Sequence, residues 1–239
     1  MQRRQPGGKV PPTTHMQLSI LIPTLEQRAA GLARLTGKLR AQIARDDLAA
    51  AVEILTLADD GTLSIGAKRN QLLDQAGGDF VVFIDDDDDI SDDYTRLLIH
   101  TIRKHPEIDC IGIRGLVTFR GRYPRPMEWS ARHPEIRTEH GVYVRPPQHI
   151  TPVRRDIARR YRFAEISYSE DFDQARRMRH DQALTREILI DQPLYFYLSR
   201  RWWFYQWLLD LTETPRHLLG LRFVNRLRFT RHAGANSHE

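Results

Sequence analysis

Carboxylates are the densest chemistry in this sequence. The stretch FVVFIDDDDDISDDY (80–94) runs an apolar segment into five consecutive aspartates, Asp85 to Asp89, and adds Asp92 and Asp93. Like charges this close repel one another, and a solvated surface has no need of them directly behind an apolar run. A divalent cation would relieve the repulsion. Mg2+ or Mn2+ on a nucleotide diphosphate takes one or two carboxylates from a fixed strand end and fills its other positions with phosphate oxygens and water. An Asp-x-Asp pair after a strand can aim both side chains over one site. Asp85 and Asp87 form such a pair, and Asp88 offers a further ligand. The competing reading makes Asp89, Asp92 and Asp93 a solvated turn before a helix, whose N-terminus favours acids in any case. His149, in the loop PPQHITP, is a candidate third metal ligand or acceptor contact.

The surrounding elements must hold these groups in place. QLSILIPT (17–24) predicts a buried strand stopped by Pro23, and Leu32, Leu35, Leu39 and Ile43 predict a helix over 26–44. VEILTLADDG (52–61) reads as a second strand, and SIGAKRNQLLDQAGG (64–78) as a helix closed by Gly77-Gly78. FVVFI (80–84) is a third strand, 91–105 a helix capped by Ser91 or Asp92, and DCIGIRGLVTF (109–119) a fourth strand. Loops and short strands follow over 120–150. Short helices are expected at 151–161 and at 169–179, the second capped by Ser169, then a strand over 188–200 and an aromatic helix over 201–211. This alternation predicts an α/β fold, a mostly parallel central sheet flanked by helices. Ligands of such sheets lie beyond the carboxyl ends of the strands. Three strands end there in Pro23-Thr24, Asp59-Asp60 and Asp85 to Asp89.

Composition narrows the classes. The chain has 239 residues, 41% hydrophobic, enough for one substantial core. One cysteine, Cys110, excludes an intramolecular disulfide framework and a multi-cysteine zinc site. The net charge is +5, but there is no basic stripe on a recognisable nucleic-acid module, so nucleic acid is excluded as a partner. No run reaches the about 18 apolar residues of a membrane span, and the start lacks a secretory apolar core, so the expected address is cytoplasmic. Residues 1–16 read as a disordered leader or cloning remnant, 17–212 as one catalytic domain (halves 17–119 and 120–212), and 213–239 as a basic tail. RWWFYQWLLDL (201–211) is read as packing on that domain or in a homodimer, with peripheral membrane contact as the alternative.

LSILIPT, then ADDG, then GAKRNQLLDQAGGDFVVFIDDDDDISDDY resembles the nucleotide-sugar-binding half of the family 2 glycosyltransferases, which have the GT-A fold. RPPQHITPVRRDIARRYRFAEISYSEDFDQARRM is similar to their later part, where a Glu-Asp motif opens a helix. The resemblance implies transfer of a sugar from a nucleotide-diphosphate donor, UDP above all, to an acceptor hydroxyl with inversion. Pro23, Thr24 and Glu26 would lie near base and ribose, as would Asp59 or Asp60. Lys68, Arg69 and Asn70 would line the nucleotide pocket, with Asp85 and Asp86 among the donor contacts. Asp85 and Asp87 would hold Mn2+ or Mg2+ on the diphosphate. Glu170-Asp171 would supply the general base, with Asp171 preferred.

Alternatives remain beside these roles. Glu170 and Asp171 also suit a helix N-terminus, and Lys68 and Arg69 a solvated helix face. Arg154 and Arg155 fit either diphosphate binding or an exposed face. The place of the variable residue in the acidic motif is taken by Asp86, which leaves open which aspartates bind metal. The Gln-x-x-Arg-Trp segment of processive synthases is absent, which argues against polymer synthesis. The acceptor could be a glycan, a lipid-linked intermediate or another hydroxyl compound. The non-enzymatic alternative is a nucleotide-sugar or divalent-cation binding protein on a degenerate GT-A fold.

Overall fold

The computed structural model describes residues 15–199. Strand β1 (Leu18–Leu25) is apolar on both faces and buried along nearly its whole length, as a central strand must be. It lies between β2 (Val52–Asp59) and β3 (Phe80–Phe83), parallel to both. Helix α1 (Ala29–Arg45), after a single 3-10 turn at Glu26–Arg28, covers one face of this unit together with α3 (Tyr94–Lys104). Helix α2 (Ile65–Gln75) covers the other face. Beyond β3 the sheet continues through β9 (Val153–Arg154) to β5 (Cys110–Phe119), β6 (Arg122–Trp129), β8 (Val142–Arg145) and β7 (Arg137–Glu139). The long strand β10 (Glu187–Ser199) runs parallel to β5 and antiparallel to the two-residue β4 (Asp89–Ile90). The sheet is therefore mixed: parallel through β2-β1-β3, antiparallel where β9 joins β3 to β5. Two short helices complete the α2 side, α4 (Arg155–Arg160) and α5 (Glu170–His180). No helix among the described residues is long and apolar enough to cross a membrane.

The expected helix over 151–161 opens instead as β9, paired to β3, and is helical only from Arg155. Two further boundaries and one cap also differ from the sequence expectation. β1 does not stop at Pro23 but continues to Leu25, because its ladder with β3 has already ended at Leu21. Pro23 shares Leu21's orientation, so its missing N–H forfeits no β3 bond. Helix α3 starts at Tyr94 rather than Ser91. Residues Asp89 to Ser91 are drawn into the sheet instead, with the Ser91 N–H donating to the Leu194 carbonyl at 2.9 Å. Neither Ser91 nor Asp92 caps that helix. Ser169 does precede α5, but in the left-handed conformation (φ 65°) and without a side-chain capping bond. A non-glycine residue at positive φ is uncommon, and here it directly precedes the Glu170-Asp171 pair. The expected helix over 201–211 lies outside the described residues.

The approach of α2 to the segment before α5 is close enough to require glycine. A Cβ on Gly66 would stand 1.8 Å from the Ala164 carbonyl oxygen, and the Gly66 N–H donates to the Ile166 carbonyl at 3.1 Å. Four residues on, Asn70 closes the same contact with both halves of its amide, donating to Phe163 O at 2.9 Å and accepting from Phe163 N at 3.0 Å. Gly66→Ala should therefore separate α2 from residues 163–166 and cost about 1–3 kcal/mol, as overpacking does. Urea unfolding would show a lower midpoint at unchanged m-value, and an unchanged midpoint would refute the tight contact.

Candidate active site

Strand β3 alternates its side chains between two cores. Phe80, Val82 and Ile84 face the α1–α3 side, and Val81 and Phe83 the α2–α4 side. The contacts keep this alternation past the strand end. Asp85 meets Arg69 of α2, whereas Asp86 meets the Thr24 hydroxyl and, at 2.9 Å, Arg28 Nη1. A second backbone track delivers the histidine. Residues 149–155 run antiparallel along β3, with the Phe83 N–H donating to the His149 carbonyl at 3.0 Å and Val81 paired with Val153. That puts His149 beside Asp85.

These tracks and α5 close a ring of charged groups. Arg69 donates through Nη2 to Asp85 Oδ1 at 3.1 Å and through Nη1 to Glu170 Oε1 at 2.5 Å. His149 stands with Nε2 3.3 Å from Asp85 Oδ2 and Nδ1 3.1 Å from Asp171 Oδ2. The Arg69 side chain is 3% exposed, its guanidinium near the rings of Phe83 and Phe163 at 5.7 and 5.4 Å. A cation so buried is tolerable only with carboxylate partners, which fixes both acids relative to α2. Burial would raise the Asp85 pKa, but the charges of His149 and Arg69 outweigh it and hold the carboxyl far below the usual range. Burial likewise opposes ionisation of Asp171, and the hydrogen bond and charge of His149, with Arg69 and Arg145, bring it down to about 2. Glu170 moves the other way, raised by burial although Arg69 counteracts. For His149, burial and Arg69 disfavour the charged ring, while Asp85 and Asp171 outweigh them and raise its pKa.

The remaining aspartates are held by the protein's own cations, which form a ladder on α1 and its entry turn. Arg28 Nη1 lies 3.5 Å from Asp87; Arg34 and Lys38 each reach Asp89 at 3.3 Å; Lys38 reaches Asp92 at 3.3 Å and Arg45 reaches Asp93 at 3.7 Å. Asp88 is buried, accepting from Tyr195 Oη at 2.5 Å and from the Leu198 N–H at 2.9 Å. Burial, with Asp85 close by, raises its pKa well above the ordinary value.

The predicted residues divide accordingly. Arg69, Asp85, His149, Glu170 and Asp171 come together in the ring. Lys68 is buried and bonds inward, donating to the Thr24 carbonyl at 2.9 Å and to Asp59 Oδ1 at 2.5 Å, which excludes the solvated-face reading. Asp59 Oδ2 accepts the Leu63 N–H at 2.7 Å. Thr24, Asp59 and Lys68 thus form a knot under the β1 and β2 ends, and Pro23 is buried above it. The Asp86 carboxylate is spent on Thr24 and Arg28, and the Asn70 amide on Phe163, so neither side chain faces a donor. Glu26 and Asp60 are exposed at the rim. Arg154 and Arg155 lie at the opposite end of β3 and hold backbone carbonyls, Ile108 at 2.6 Å and Ala76 at 3.1 Å, away from any diphosphate. Arg28, Tyr195 and Arg145 escaped sequence reasoning. The basic spacing along α1 was a signal for the first; nothing local marked the other two.

Asp85 and His149 are donors of the types a divalent cation takes. The buried Nε2 of His149 faces Asp85 without a hydrogen bond, as an imidazole nitrogen beside a second ligand of one ion would. Among the described residues no three acidic, histidine or cysteine side chains converge tightly enough to hold an ion alone. Diphosphate oxygens and water would complete the shell, as is usual for Mg2+. Beside the ring a groove of about 690 Å3 opens between α5 and loops 134–136 and 146–148, reaching Gln148, next to His149, and Phe172, next to Asp171.

Residues 58–162 match the model of glycosyl transferase family 2, a span that includes Arg69, Asp85 to Asp87 and His149 but ends before Glu170. The fold is similar to crystal structures of S. aureus TarS. TarS 1-349 in complex with UDP-GlcNAc is 18% identical at a TM-score of 0.52, over 78% of this chain and 59% of that one. TarS 1-349 in complex with UDP is 20% identical at 0.52, over 82% and 64%. The longer TarS structure is 18% identical at 0.52, over 80% and 38%. This chain thus spans less than two thirds of each. No curated protein matches the sequence. The family match over the β3 end and the fold similarity to TarS around it agree on a GT-A-like architecture for this chain.

Proposed function

We propose that the protein is a metal-dependent glycosyltransferase that moves a sugar from a nucleotide-diphosphate donor, UDP-linked, to an acceptor hydroxyl with inversion at C1. The observation that carries the reading is the ring itself: a metal-type carboxylate and histidine linked through one buried arginine to a second carboxylate pair from a distant segment. A transferase needs both functions beside one sugar. A protein that only bound nucleotide would have no use for the second.

Within this reading Asp85, Asp87 and His149 would hold Mn2+ or Mg2+ together with diphosphate oxygens and water. When bound, the cation supplies charge neutralisation to the departing diphosphate. Asp171 takes the proton of the acceptor hydroxyl as the acceptor oxygen bonds to C1 and the C1–O bond to the diphosphate breaks. Its pKa near 2 leaves it ionised at neutral pH, as a base must be. Glu170, committed to Arg69, positions α5 rather than taking the proton. UDP and UDP-GlcNAc in the TarS complexes support uridine as the donor nucleoside.

Thermal melting with UDP, GDP, CDP or dTDP, each with and without Mn2+, should give the largest stabilisation with UDP and manganese together, because ligand binding raises native stability by mass action. Asp85→Ala should remove the manganese-dependent part; a shift unchanged in that variant would sink the metal site. Asp171→Asn should keep the UDP shift and lower turnover by roughly 10²–10⁴-fold. Turnover at the wild-type rate would rule out Asp171 as the base.

A further inference from the structure

One buried cation in the described structure has no partner. Arg145, the last residue of β8, is 8% exposed, makes no ion pair and no side-chain hydrogen bond among the described residues, and leaves Nε buried and unpaired. Its guanidinium lies over the Phe172 ring, 5.0 Å from the centroid. Buried charges are ordinarily paired, so an unpaired guanidinium persists where a ligand is to supply the partner. Its planar fork matches phosphate.

Its position selects the ligand. Phe172, over whose ring the guanidinium lies, directly follows Asp171 in the first turn of α5. Pro146, next in sequence, and Phe172, beneath the guanidinium, both line the groove beside the ring. Across that groove α5 presents Arg176, Arg179 and His180, against Glu135 and Asp173. Asp173 is already paired with Arg176 and Arg177, and Arg179 has no ion pair among the described residues. Arg179 and Arg145 are thus two cations here without an ion pair among the described residues.

We propose that Arg145 anchors the acceptor, and that the acceptor carries a phosphate group whose oxygens pair with this guanidinium while its hydroxyl meets Asp171 from the groove. The assignment rests on the transferase reading above.

The test is thermal melting of the full chain with inorganic phosphate, chloride keeping ionic strength constant, with and without saturating UDP and Mg2+. Phosphate should raise the melting temperature, and should still do so once UDP and Mg2+ are bound. Arg145→Met should melt no lower than wild type without phosphate, since an unpaired buried charge has gone, and should lose at least tenfold in apparent phosphate affinity. Arg145→Lys, which keeps the charge without the fork, should fall between. No phosphate shift in wild type, or an equal shift in Arg145→Met, would overturn the proposal. So would a shift abolished by UDP and Mg2+, which would give the guanidinium to the donor diphosphate. A phosphate shift that needs Arg145, with no response to any nucleotide, would instead overturn the transferase reading and leave Arg145 as an oxyanion site only.

Discussion

Negative charge crowded at the end of a buried strand sets the terms for the rest of this structure. β3 delivers Asp85 to Asp89 into a region with little water to screen them, and each must find a partner, neutralise, or face a ligand. Pairing and neutralisation are both in use. The α1 ladder of Arg34, Lys38 and Arg45, with Arg28 before it, takes the acids on its own side of the sheet. Asp88 is pushed toward its neutral form inside a contact with Tyr195. Asp85 is balanced by Arg69 and His149. Arg69 ties residues 69, 85 and 170 into one unit, and loss of either carboxylate would leave a buried cation half-paired, a situation worth about 3–5 kcal/mol where measured.

The scaffold around Arg69 is built for rigidity. Gly66 lets α2 lie against residues 164–166, and the two-way Asn70–Phe163 bond fixes their register. The chain then turns through Ser169 in a left-handed conformation to start α5, whose first residues are Glu170 and Asp171. Acids there complement the helix dipole, so the local structure favours their ionised form. His149 arrives from the opposite side on a strand-like track pinned to β3. Four segments far apart in sequence thus converge on one point, and none of the ring side chains is placed by a loop alone.

Much of this was legible in the sequence, and the reason lies in which residues speak for themselves. Apolar runs ending in acids identify strand ends of an α/β sheet, so Asp85 was legible, whereas Glu170 and Asp171 stood out only through the resemblance to family 2 glycosyltransferases and otherwise read as a helix start. Polar residues near those motifs were legible only as neighbours. Lys68, Asn70, Thr24 and Asp86 are polar, close to the site and buried, yet their hydrogen-bonding capacity is spent on the protein itself. Proximity in sequence does not distinguish a side chain that faces a ligand from one that braces the backbone beneath it. Arg145 shows the converse, since β8 reads as ordinary loop and strand and only the absence of a partner, a tertiary fact, sets it apart.

That contrast orders the cations by what they have left to give. Arg69, Lys68 and Lys38 each meet carboxylate and carbonyl oxygens or carboxylates on more than one side, and a ligand could take them only by displacing those. Arg28 is nearly half exposed and holds Asp87 at 3.5 Å, a looser grip than its 2.9 Å contact with Asp86. Arg145 has nothing to release. A site arranged this way presents a fixed ring beside one buried guanidinium that has no ion pair among the described residues.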